Sequence, residues 1–105
     1  MESFEVTVDL FKCLNGEFFI RFMRNAFLFP PYFGGNLDAI DECMRDLSWI
    51  QEREIRVKLI NFEKASKTNE GAARNLVEMF RLYEIFWKGR GLNEDKKEFI
   101  LKILQ

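Results

Sequence analysis

The chain has 105 residues, 48% of them hydrophobic and 31% charged, with a formal net charge of −1. This length and balance predict one domain spanning 1–105 around a modest core and exclude disorder, while the near-neutral charge argues against a general electrostatic grip on nucleic acid. Two cysteines, Cys13 and Cys43, in a chain without histidine exclude a disulfide framework and show no metal-ligand spacing.

Twelve phenylalanines and two tryptophans each bury roughly 150–250 Å², so the core needs no metal, disulfide or cofactor to compensate for its size. No apolar run approaches the roughly 20 residues that span a bilayer, and MESFEVTVDL lacks the regions of an export signal. A soluble protein in a reducing cytoplasm is the expectation.

Phe4, Val6, Val8 and Leu10 alternate with Glu5, Thr7 and Asp9, the period of two that sets one face of a strand on a core. Asn15 is placed to cap a first helix, with Leu14 stapling onto Phe19. Phe18, Phe19, Phe22, Met23, Ala26 and Phe27 follow at helical spacing, and Pro30-Pro31 ends the run because proline removes a donor and disfavours α geometry in its predecessor. Gly34-Gly35 opens backbone angles closed to other residues. Asn36 then caps a second helix, with Asp38 in its first turn favoured by the helix dipole.

Ile55, Val57 and Leu59 alternate with Arg56 and Lys58 in a second strand over about 53–60. A third helix is predicted from Thr68 or Asn69 to about Lys88, with Leu76, Val77, Phe80, Tyr83 and Phe86 among its apolar positions and Gly89 and Gly91 at its end. After a polar connection from Asn93 to Glu98, Phe99 to Leu104 reads FILKIL, consistent with a buried strand. Strand, two helices, strand, helix, strand is the pattern of a small parallel sheet with helical crossovers, right-handed by default.

The second helix is the most informative segment. With Leu37 at 0° on a helical wheel, Ile40, Cys43, Met44 and Leu47 fall within about 120° and are predicted to face the core. Asp41, Arg45, Asp38, Glu42 and Asp46 fall opposite, four acids against one base. Like charges spaced four apart cost roughly 0.2–0.5 kcal/mol per pair, a cost borne by any solvated acidic helix and put to use if a basic partner meets this face. Tyr32 and Phe33 stand beside the acids, a mixture of aromatic anchor and charge found in binding hot spots.

Tyr32 to Cys43, YFGGNLDAIDEC, resembles the loop and second helix of the barstar family of bacterial intracellular ribonuclease inhibitors. Phe29-Pro30, Arg45-Asp46-Leu47 with Trp49, and VKLINFE leading into a long helix are also similar to it, and the order of elements agrees along the chain. The resemblance implies a three-stranded parallel sheet packed with three to four helices. It also implies an inhibitory surface that plugs the basic active site of a ribonuclease. The expected partner-binding residues are Tyr32, Phe33, Gly34, Gly35, Asn36, Asp38, Asp41, Glu42, Arg45 and Asp46. By position, Tyr32 matches the loop tyrosine that covers the nuclease site, Gly34 and Asn36 match the loop and cap, and Asp38 matches an acid facing the nuclease's cations. Glu42 stands where the member best known to bind a ribonuclease has its dominant aspartate, a general example of a hot spot whose magnitude belongs to that complex.

The chain departs from the family pattern in three places. Asp41 replaces a tryptophan, Phe33 a second tyrosine and Leu82 a partner-facing glutamate. Glu42 is also one methylene longer than aspartate, and a desolvated charge network tolerates displacement poorly. The partner is therefore expected to be a basic ribonuclease-type toxin, with no direct contact to nucleic acid or membrane and a monomer when free. The alternatives are a module of the same fold with another partner, including self-association through the aromatic loop, and a small enzyme. For the enzyme, Cys13 has no histidine to serve as base, and paired acids such as Asp38 and Glu42 are the remaining candidates. Lys88, Arg90, Lys96 and Lys97 match no phosphate loop and read as a solvated connection; Trp49 and Trp87 read as packing.

Overall fold

The computed structural model describes residues 2–90 and 96–105. Strand β1 spans Ser3–Asp9 and is followed by one 3-10 turn at Lys12–Leu14, helix α1 at Gly16–Ala26 and helix α2 at Leu37–Met44. Strand β2 (Glu54–Ile60), helices α3 (Phe62–Thr68) and α4 (Glu70–Lys88) and strand β3 (Glu98–Ile103) complete the order. The strands form one parallel sheet, β1-β2-β3, with β2 central, the α/β arrangement expected. Gly91 and the start of the polar connection, Asn93 to Asp95, lie outside the described residues.

Strand periodicity explains the sheet. Phe4, Ile55 and Phe99 form one row, Val6, Val57 and Leu101 the next, and Val8, Leu59 and Ile103 the third. Val6, Val8, Ile55, Val57 and Leu59 are buried, whereas Glu5, Thr7, Arg56, Lys58 and Lys102 between them are exposed. One face therefore carries the core and the other is open and polar.

That asymmetry corrects the reading of FILKIL. Only Phe99 in β3 is buried, and Ile100 is 41% exposed, because β3 is an edge strand on a sheet covered on one side. Parallel strands covered on both faces give continuous apolar runs; here the second cover is missing. The Glu84 carboxylate accepts a long hydrogen bond of 3.4 Å from the Leu101 amide, which partly occupies an edge otherwise open to pairing.

Three asparagines start the three longer helices. Asn15, Asn36 and Asn69 accept from Phe18, Ala39 and Ala72 amides at 2.9, 2.8 and 3.1 Å, each satisfying an orphan donor of the first turn. Helix α3 was not anticipated. Asn61 turns into it with φ of 61°, a left-handed conformation that asparagine tolerates better than most residues, and Asn69 then breaks it from α4 with extended angles. On α4, Leu76, Phe80, Tyr83 and Trp87 are buried, while Val77 and Phe86 are half-buried.

Helix α1 ends without glycine. Phe27 and Phe29 amides donate to the Met23 and Arg24 carbonyls at 3.0 and 2.9 Å, a Schellman-type closure that forces the residue between them left-handed. That residue is Leu28, with φ of 56° and 60% exposure, so it holds strain with little packing in return. The left-handed penalty of about 1–2 kcal/mol exceeds the extra unfolded-state freedom of glycine, about 0.5–1 kcal/mol. Leu28→Gly is expected to stabilise the fold by about 0.5 kcal/mol, read as a higher midpoint in urea denaturation with an unchanged slope.

Candidate functional site

The loop before α2 is held by an aromatic cluster. Phe29, only 8% exposed, lies with its ring centroid 6.3 Å from Phe27, 4.9 Å from Phe33 and 6.1 Å from Trp49, the last edge-on. The Trp49 indole N–H donates to the Phe27 carbonyl at 2.9 Å, tying the segment after α2 to the end of α1. Pro30 and Phe33 close a turn through a 3.0 Å backbone hydrogen bond. Phe33 is half-buried, whereas its neighbour Tyr32 is 71% exposed. Gly35, with φ of 75°, then makes the reversal into the Asn36 cap, a conformation that glycine adopts without a Cβ penalty.

Helix α2 turns Ile40, Cys43 and Met44 inward, and Leu47 beyond its end is also buried. Leu37 corrects the wheel: it is the first residue of the helix and is 53% exposed, outside the buried core. Asp38 and Glu42 are exposed as expected. Arg45 and Asp46 lie beyond the last helical residue, Met44, because Leu47 adopts φ of 50° to bring its side chain back into the core. Asp46 accepts from the Ser48 amide at 3.3 Å and lies near Tyr32, whose phenol is raised in pKa by partial desolvation and then by the Asp46 charge.

Asp41 departs most from the expected acidic face. It is half-buried and accepts a 2.5 Å hydrogen bond from the Tyr83 hydroxyl. Tyr83 is itself only 4% exposed, and its pKa is raised by burial and then by the Asp41 hydrogen bond and charge. One turn further along α4, the Trp87 indole N–H donates to the Met44 carbonyl at 3.0 Å, satisfying an orphan group at the C-terminal end of α2. Tyr83 and Trp87, four apart on one face of α4, thus hold α2 at two points. The sequence marks Tyr83 as an apolar helix position and Trp87 as packing, and neither reading contains this clamp. Its signal was two aromatic residues with polar tips at helical spacing, which find hydrogen-bond partners when buried.

Between α2 and α4 runs a groove of about 610 Å³, bordered by Asp41 and Arg45 on one side and by Met79, Leu82, Ile85 and Phe86 on the other. Leu82 and Ile85 are 54% and 61% exposed. The cysteines lie elsewhere in chemistry: burial, then Asp9, pushes the Cys13 thiol up to about 12, and burial, then Asp46 and Glu42, raises Cys43. Thiols so shifted carry little of the thiolate that attacks or binds metal. Among the described residues, no three His, Cys, Asp or Glu side chains gather in a metal-binding group, and no helix is long and apolar enough to cross a membrane.

A family model described as Barstar (barnase inhibitor) matches residues 3–103. A search of the curated proteins returns no match.

The clamp has a measurable contribution. Tyr83→Phe removes a donor to a carboxylate that water reaches only partly, and about 1.5 kcal/mol of stability is expected to go with it in urea denaturation at neutral pH. The pH dependence has a definite sign. The folded-state pKa of Tyr83 is raised above its ordinary value of 10.0 and that of Cys13 above 9.0 to about 12. Both contributions are whole below those ordinary values and are lost as pH climbs through the raised ones. Stability should hold through neutrality and fall above about pH 9, with a shallower fall in Tyr83→Phe than in the wild type.

Proposed function

Because the chain belongs to the barstar family, we propose that it is an intracellular inhibitor or immunity protein that occludes the active site of a ribonuclease toxin with the surface from Tyr32 to Asp46. The observation that carries this proposal is the pairing of an exposed Tyr32, in a loop anchored by Phe29 and Phe33, with exposed Asp38 and Glu42 on a helix held from behind by Tyr83 and Trp87. A rigid plug of this kind loses little conformational freedom on docking.

The proposed mechanism needs no chemistry from the chain. Asp38, Glu42 and Asp46 stand in for substrate phosphates against the cations of the nuclease, and Tyr32 supplies the apolar anchor. Charges at the rim of such a surface act chiefly on the rate of encounter. Asp41 has a different part: its carboxylate is engaged by Tyr83, so it positions α2, while Gly34, Gly35 and Asn36 set the approach of the loop. Arg45 donates through Nε to the Asp41 carbonyl at 3.3 Å, which leaves the tip of its guanidinium for a partner's acid.

The exposed Leu82 and Ile85 along the groove favour, as the second possibility, a family member that binds another protein or a second copy of itself. Sedimentation of the free chain distinguishes self-association from the inhibitor proposal, which requires no dimer. An enzyme gains no support from the geometry: Asp38 and Glu42 line none of the five principal cavities.

The test is stopped-flow association with a basic ribonuclease of the native host that the wild-type chain inhibits. Neutralising both acids, Asp38→Asn with Glu42→Gln, is expected to slow association at low salt by about tenfold or more and to flatten its dependence on ionic strength. An unchanged rate and salt slope in the double variant would overturn the proposed mechanism.

A further inference from the structure

A cluster of positive charge lies beside the acidic face. Arg45, Arg53, Arg90, Lys96 and Lys97 line one cavity of about 470 Å³, with Asp46 as its one carboxylate among the described residues. In the sequence these cations are scattered over four segments, and only Arg90, Lys96 and Lys97 read as a cluster. The fold gathers the end of α2, the segment before β2, the end of α4 and the approach to β3 around one space. We propose that this cavity binds a phosphate-type oxyanion, either free phosphate or the phosphoryl end of a small molecule.

Three features make the cavity more than a basic patch. First, the cations are not spent on each other's opposites: the ion pairs among the described residues are Arg56–Glu54, Lys67–Glu63 and Arg74–Glu70, all elsewhere. Second, Lys97 is only 8% exposed, and its ammonium donates to the Ile50 carbonyl and, at 2.8 Å, to the Glu52 carbonyl. An ammonium has three donors, so these two carbonyls do not use all of them. Burial lowers the Lys97 pKa, Glu52 opposes that shift and Arg53 adds to it, so a bound anion would relieve both the desolvation and the repulsion.

Third, two guanidinium groups are partly pre-set. Arg90 lies over the Phe86 and Trp87 rings at 5.7 and 5.9 Å, a cation–π placement that limits its rotamers. Arg45 is held through Nε to the Asp41 carbonyl, which leaves its terminal donors unused by that bond. Guanidinium forks match the paired oxygens of phosphate, and the volume falls in the range of small-ligand sites, about 300–1,000 Å³. The site borders the proposed nuclease-facing surface at Arg45 and Asp46, but its occupancy is read in the free chain, without the nuclease.

The experiment is an NMR amide-shift titration of the free, full-length chain with sodium phosphate, ionic strength held constant with sodium chloride, and a parallel titration with adenosine 5′-monophosphate. Saturable shifts centred on residues 45–53 and 96–97 are expected. Arg53→Ala and Arg90→Ala remove exposed side chains and should each weaken binding by about tenfold. Lys58→Ala, on the open sheet face, should leave it unchanged. Tighter binding of the nucleotide supports the site and assigns it to a phosphorylated small molecule; equal binding supports it and assigns free phosphate. Non-saturating shifts, equal shifts with chloride alone, or an equal loss in Lys58→Ala would overturn the site while leaving the inhibitor proposal untouched.

Discussion

Helix α2 is eight residues long, too short to be stable alone in water, and everything proposed for this protein depends on how it is held. The Asn36 side chain closes its first turn, and Ile40, Cys43 and Met44 anchor one side in the core. The decisive contribution comes from α4, whose Tyr83 and Trp87 reach across to the Asp41 carboxylate and the Met44 carbonyl. These two donors turn a marginal helix into a fixed ledge. They also explain why a carboxylate can sit in the middle of α2 without adding to the exposed acids: it is the acceptor the buried phenol requires.

The same polar accounting runs through the rest of the chain. Among the described residues, no buried side-chain nitrogen or oxygen lacks a partner, including the indoles of Trp49 and Trp87 and the ammonium of Lys97. Lys97 is the costly case, since a buried charge needs strong partners. Its two carbonyl acceptors belong to Ile50 and Glu52, so it stitches the entry of β2 to the entry of β3. The one-sided sheet makes such stitching useful, because among the described residues no second layer of helices covers its open face.

The acidic ledge and the basic cavity meet at Arg45 and Asp46. Both residues lie just past the end of α2, where Leu47 turns left-handed and redirects the chain. A two-signed surface of this kind orients an incoming partner by its dipole as well as by its net charge. It arises although the chain as a whole is nearly neutral.

Local rules made much of this legible in the sequence. Strand alternation placed β1 and β2, the Asn15 and Asn36 caps placed the first two helix starts, and the YFGGNLDAIDEC motif pointed to the family and to the loop and helix of the candidate surface. Each depends on contacts within a few residues, which is why each could be read from spacing alone. The tertiary structure decided the rest. Leu37 is exposed although the wheel sets it on the apolar arc, Asp41 is engaged because Tyr83, 42 residues away in sequence, is 2.5 Å away in space, and β3 is half-open because none of the described residues buries its outer side chains. The basic cavity is of the same kind: its cations share no periodicity, and only the packing of four segments brings them together. A helical wheel ranks side chains by angle, whereas burial and charge neighbourhood depend on which elements arrive from a distance.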